Sequence, residues 1–190
     1  MKADARTPSM PSPAKPSPGA LRVGLSRLAR MAVLVAAGSV LFLFESAIPR
    51  PLPWLKPGLS NLVSLVALYL YGFRAAFLIM LLRVLIGAFV LGTLFNPAFV
   101  FALGGGVVSV AVMASLHACA RNKFSVIGIS LIGAFSHNLT QLVLAAVLVI
   151  NSTQVFYLAP LMLLSSLFSG FLVGIFAHYT IQKAVSWHLT

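Results

Sequence analysis

Residues 75–119 read AAFLIMLLRVLIGAFVLGTLFNPAFVFALGGGVVSVAVMASLHAC and carry a single formal charge, Arg83. A helix that crosses a bilayer needs about 20 predominantly apolar residues. This stretch supplies two such runs, Ala75–Leu94 and Ala98–Cys119, divided by Asn96-Pro97, where a proline ends one helix and can open the next. Only helices satisfy every backbone N–H and C=O within an open hydrocarbon-embedded segment, so the stretch reads as two consecutive spans.

The same pattern extends outward. Upstream lie Met31–Ile48 and Leu59–Tyr71, and downstream lie Ser125–Ile150 and Phe156–Gln182. The breaks are the proline-rich segment 49–58, Gly72, Arg121-Asn122-Lys123 and Asn151-Ser152-Thr153. The chain therefore reads as an all-α integral membrane protein of about six transmembrane helices. A Pro/Ser-rich cytoplasmic tail over residues 1–22 is expected to be disordered, and the six-helix domain runs from 23 to 190. The run Leu59–Tyr71 is short for a span, which calls for little tilt, partial burial or extension by its loop.

Composition agrees. Of 190 residues 60% are hydrophobic and 8% charged, whereas soluble domains average about 45–50% and 25%. Thirteen Lys and Arg face two acids, Asp4 and Glu45. Their placement in the tail and between apolar runs argues for membrane orientation and against nucleic acid. With the N-terminus inside, Lys2, Arg6, Lys15, Arg22, Arg27, Arg30, Arg74, Arg121, Lys123 and Lys183 are cytoplasmic, and Arg50 and Lys56 are outside. That distribution places both termini in the cytoplasm, with the basic flank of Met31–Ile48 leading an uncleaved first helix. Trp54 suits an interface, and the lone Cys119 allows no intramolecular disulfide.

Few residues could carry chemistry. Arg83 lies about 12 Å from the cytoplasmic end of its run, too deep to snorkel, and needs a partner: helix-end carbonyls, Glu45 or an anionic ligand. Glu45, one turn from the outer end of the first helix, is an ion-pair candidate for Arg83 and alternatively a proton or cation site. Ser130, Gly133, His137 and Gln141 share one face of the fifth helix, with Asn138 beside it, as interhelical hydrogen bonding or the wall of a binding cavity. No second His or acid stands at zinc-ligand spacing. Gly104-Gly105-Gly106 permits close helix contact or a break, and no phosphate-loop Lys-Ser or Lys-Thr follows it. Ala32 and Ala36 form a small-xxx-small pair suited to a partner helix.

The segment Glu45-Ser-Ala-Ile-Pro-Arg-Pro-Leu-Pro-Trp-Leu-Lys-Pro-Gly-Leu-Ser-Asn61 resembles the family called heptaprenyl diphosphate synthase component I, also known as Gx transporter family proteins. Gly72, Ala76 and Arg83 fit its next segment, and Gly104, Gly105, Ser109 and Met113 another. Gly133-Ala134, His137-Asn138 and Gln141 match its Gly-Ala-x-x-His-Asn-x-x-Gln signature, and Tyr157–Pro160 with Gly170 and Gly174 fit the last helix. The chain departs in its tail, in Ser60, where alanine is common, and in the inserted Ala159.

The resemblance implies the fold of the substrate-binding S component of energy-coupling-factor transporters, with Ala32 and Ala36 meeting a transmembrane coupling subunit. It further implies a small-molecule substrate such as a redox-cofactor or isoprenoid-related precursor, and association with a flavin-transferase or redox partner. The family name implies instead a noncatalytic subunit of a prenyl diphosphate synthase. Two acids cannot build the aspartate-rich magnesium sites of such enzymes, so no catalytic residue, metal or cofactor is assigned. The expected substrate-binding set is Lys56, Asn61, Arg83, His137, Asn138 and Gln141, with Arg83 and Lys56 on an anionic group.

Overall fold

The computed structural model describes residues 18–48, 58–120 and 123–188, and among them every regular element is helical. In order these are α1 (Pro18–Ala47), α2 (Asn61–Tyr71), α3 (Phe73–Val90), α4 (Pro97–Cys119), α5 (Val126–Ala145) and α6 (Ala159–His188). All but α2 are long and apolar enough to cross a membrane.

The exterior and interior are inverted relative to a soluble protein. Phe89, Phe168 and Leu164 stand 75%, 70% and 67% exposed, while Glu45, Gln141 and Arg83 are almost fully covered. Side chains that water would welcome are inside and those that lipid would welcome are outside. The protein is a multi-pass membrane protein.

Helix α2 is the exception that organises the bundle. Its 11 residues rise about 16 Å, roughly half the hydrocarbon thickness. Val63 to Leu68 are all buried, with α1, α3, α4 and α6 packed around them. A helix apolar on every side is one with protein on every side, so partial burial accounts for the short run. Gly72, at φ +85°, then reverses the chain in one residue, a conformation costly for any side chain with a Cβ. The resulting α2–α3 hairpin is antiparallel, and it sets Asn61 and Arg83, each eleven positions from Gly72, side by side.

Local chemistry fixes the other ends. Asn96 caps α4 by accepting from the Ala98 N–H at 3.1 Å, with Pro97 in the first turn, and Ser125 caps α5 by accepting from the Gly128 N–H at 3.1 Å. Two runs end differently from their apolar limits. Helix α3 stops at Val90, and α5 gives way after Ala145 to a π-helical turn, Ala146–Ile150, closed by Asn151 in the left-handed region at φ +49°. Past Val90 the chain turns, whereas past Ala145 the π-helical turn carries the apolar span on to Ile150. Helix α1 reaches back to Pro18, since a proline suits a first turn whose N–H groups lack intrahelical partners. The remainder of the tail, Arg50, Trp54, Lys56 and Arg121 lie outside the described residues.

Glycines set how closely the helices approach. Helix α4 runs unbroken through Gly104-Gly105-Gly106, so the triplet serves contact: a Cβ on Gly106 would stand 2.8 Å from Met80 Sδ, and one on Gly105 2.9 Å from the His137 ring. Between α5 and α6, a Cβ on Gly174 would stand 2.7 Å from the Ile127 Cα.

Candidate functional site

Two buried charges meet at the start of α2. Glu45, in the last turn of α1, accepts from the Ser60 N–H at 3.2 Å through Oε1 and from the Ser60 hydroxyl at 2.9 Å through Oε2. The next residue, Asn61, accepts from Arg83 Nη2 at 2.6 Å. The two charges are thus joined through consecutive residues of one turn, and they lie within Coulombic reach of one another. Gly58, at φ +77°, makes that turn, with its carbonyl accepting from the Asn61 N–H at 3.0 Å. The Arg83 stem passes over Gly38 of α1, where a Cβ would lie 3.3 Å from Arg83 Cδ.

Two bonds of Glu45 go to Ser60, so truncating Glu45 strands at least a buried N–H and a buried hydroxyl. Glu45→Ala is expected to cost about 1–3 kcal/mol. Ser60→Ala, which keeps the N–H bond, should cost nearer 1 kcal/mol. Chemical unfolding in mixed detergent micelles measures both; equal losses would show that the backbone bond contributes nothing.

The α5 stripe is buried as a unit, from Ser130 through His137 and Asn138 to Gln141. The Gln141 amide nitrogen lies 3.0 Å from His137 Nε2 and donates to it. Asn138 turns elsewhere, donating at 3.0 Å to the Met162 carbonyl of α6, where it ties two helices. Ser109 of α4 donates to the Gly133 carbonyl at 2.8 Å. Gly58, Asn61, Ser109, Ser130 and Ser169 line a cleft of about 10 Å³, room for roughly one water, which His137, Asn138, Gln141 and Arg83 do not line.

Of the expected binding residues, the structure unites Asn61 with Arg83 and His137 with Gln141, aims Asn138 at α6, and leaves Lys56 outside the described residues. Among the described residues, Arg83 Nε, Gln141 Oε1 and Ser64 Oγ are buried polar atoms with no hydrogen-bond partner. Such atoms cost about 1–3 kcal/mol each unless something satisfies them. Ser60, Ser64 and Gly38 joined the site unannounced. Ser60 and Ser64 could have been read as the polar residues of an otherwise apolar run, while Gly38 gave no signal within α1. Ala32 and Ala36 are exposed and line a groove of about 570 Å³ between α1 and α3. No group of three or more His, Cys, Asp or Glu assembles among the described residues.

An all-helical, multi-pass bundle with a polar, charge-bearing centre and an apolar surface defines a class of membrane protein rather than an activity. The family model for heptaprenyl diphosphate synthase component I matches residues 34–180, from within α1 to within α6, and the chain belongs to that family. Neither the curated proteins nor the solved structures hold a match.

Proposed function

We propose that the chain is a solute-binding component of a bacterial inner-membrane transport system, taking a small anionic solute such as a redox-cofactor or isoprenoid-related precursor. The observation that carries this reading is Arg83. It is a buried arginine in mid-span with one nitrogen on Asn61 and Nε unsatisfied, in a bundle whose Gln141 also presents an unsatisfied acceptor. Charges at such depth mark ligand and ion pathways. Arg83 would bind a carboxylate or phosphate of the solute, and His137 with Gln141 would orient its polar remainder. The cleft beside Asn61 holds only about one water and is not lined by Arg83, His137 or Gln141, so in this reading the helices around those residues must separate to admit a solute.

In this reading six helices in an S-component-like arrangement, with α2 as the buried half-span, place both termini in the cytoplasm, following the basic residues. A coupling subunit would seat on the Ala32–Ala36 groove of α1. The same groove serves the second reading, favoured by the family's name: a noncatalytic subunit of a prenyl diphosphate synthase. A thermal-shift screen of small carboxylates and phosphates separates the two. A true ligand at one hundred times its Kd adds about 2.7 kcal/mol to wild-type stability. It should add nothing to Arg83→Ala, and an unresponsive wild type alongside a co-purifying synthase would favour the second reading.

A further inference from the structure

At the end of the bundle where α2 turns into α3, a cleft of about 420 Å³ is lined by Arg30 of α1, Leu70 and Tyr71 of α2, and Ala184 and Trp187 of α6. It lies at the opposite end of α2 from the buried charges. Lys183 Nζ lies 5.4 Å from the centre of the Trp187 ring, bringing a second cation to the rim from another helix. The surrounding chain is strongly basic, at a formal +11.

Three chemical features converge here. A guanidinium carries five N–H donors, so Arg30 can keep the partner it has and still meet phosphate oxygens, and an ammonium adds a point charge. An indole and a phenol present an apolar body with one polar tip each, the combination suited to the headgroup level of a membrane. Leu70 and Ala184 provide an apolar wall. A basic cavity between transmembrane helices is a form that anionic headgroups fill. From this geometry we infer that the Arg30–Trp187 cleft is a binding site for a phosphate group carried on, or lying beside, an apolar chain. It is separate from the Arg83 centre and independent of the transport reading.

The experiment is native mass spectrometry of the full chain released from detergent at 0.15 M salt, after incubation with equimolar phosphatidylglycerol and phosphatidylcholine. Wild type is expected to retain one phosphatidylglycerol in preference to phosphatidylcholine. Arg30→Ala should reduce that retention by about ten-fold or more, the scale of a lost hydrogen bond to a charged group. Ala184→Leu should reduce it comparably by filling the cleft without altering charge. Arg22→Ala, about 12 Å further along α1, should leave it unchanged. Size-exclusion profiles and helical circular dichroism matching wild type establish that the variants are folded.

Inorganic pyrophosphate then distinguishes the source of the phosphate. Displacement of the lipid that depends on Arg30 marks a soluble phosphate or diphosphate as the occupant, and persistence of the lipid marks a headgroup anchored by its chains. Equal retention of both lipids by wild type would overturn the inference. So would undiminished retention in both Arg30→Ala and Ala184→Leu, or a loss in Arg22→Ala as large as that in Arg30→Ala.

Discussion

Gly174→Leu should prevent α5 and α6 from packing, and Gly174→Ala should already cost about 1–3 kcal/mol. The first added carbon would stand 2.7 Å from the Cα of Ile127, and backbone cannot swing aside as a side-chain tip can. At Gly170, one turn earlier, a Cβ would meet the Leu131 Cα and the Ala134 Cβ at 3.0 Å, so the two glycines together hold the helices at contact distance. Close approach matters more in lipid than in water, because packing and hydrogen bonds, rather than release of water, hold transmembrane helices together. The Asn138 bond to the Met162 carbonyl lies in the same interface and would be pulled apart with it. Gly24→Ala is the control, since nothing lies within 4 Å of the added carbon. Unfolding in mixed micelles should show a loss for Gly174→Ala and none for Gly24→Ala; equal stability of the two would remove the case for a tight α5–α6 contact.

The second large effect is expected at Arg83. Arg83→Met keeps much of the stem that fills the space above Gly38 but deletes every donor. Losing one partner of a buried charged contact costs about 2–5 kcal/mol, which in affinity is roughly thirty-fold to several thousand-fold. The Asn61 Oδ1 acceptor is stranded at the same time, and Glu45 loses the charge that faces it through Ser60 and Asn61. Replacing both Glu45 and Arg83 should therefore destabilise the bundle by less than the two single losses added together, since each single change leaves an uncompensated buried charge. Strict additivity would show that the two charges do not sense each other. Unchanged solute affinity in Arg83→Met would remove Arg83 from the binding site.

The long helices were plain in the sequence because a membrane helix is written as an uninterrupted apolar run, and α4 matches its run almost residue for residue. The buried polarity of Arg83, His137, Asn138 and Gln141 was equally legible, because lipid tolerates none of these side chains and helical spacing collects three of them on one helix. What a one-dimensional pattern does not carry is pairing between helices. A run such as 62–68, apolar but for Ser64, faces protein or lipid with nearly equal ease, so only the fold revealed that α2 is enclosed. Glu45 and Arg83 were seen as candidates for a direct pair, but the turn at Ser60-Asn61 comes between them and takes the hydrogen bonds of both. Asn138 and His137 are neighbours in sequence, yet they sit about 100° apart around the helix and serve different interfaces. The fifth run does extend to Ile150 as one span, and what composition does not carry is the change from α- to π-helical hydrogen bonding after Ala145.

Whether the buried polar centre binds a solute is decided by purifying the protein in mild detergent from its native membrane and identifying by mass spectrometry what accompanies it. A stoichiometric small molecule bearing a carboxylate or phosphate is expected, retained by wild type and absent from folded Arg83→Met and Gln141→Ala. An empty protein accompanied by a soluble, aspartate-rich prenyl diphosphate synthase would contradict solute binding and leave the polar stripe as the bond between helices.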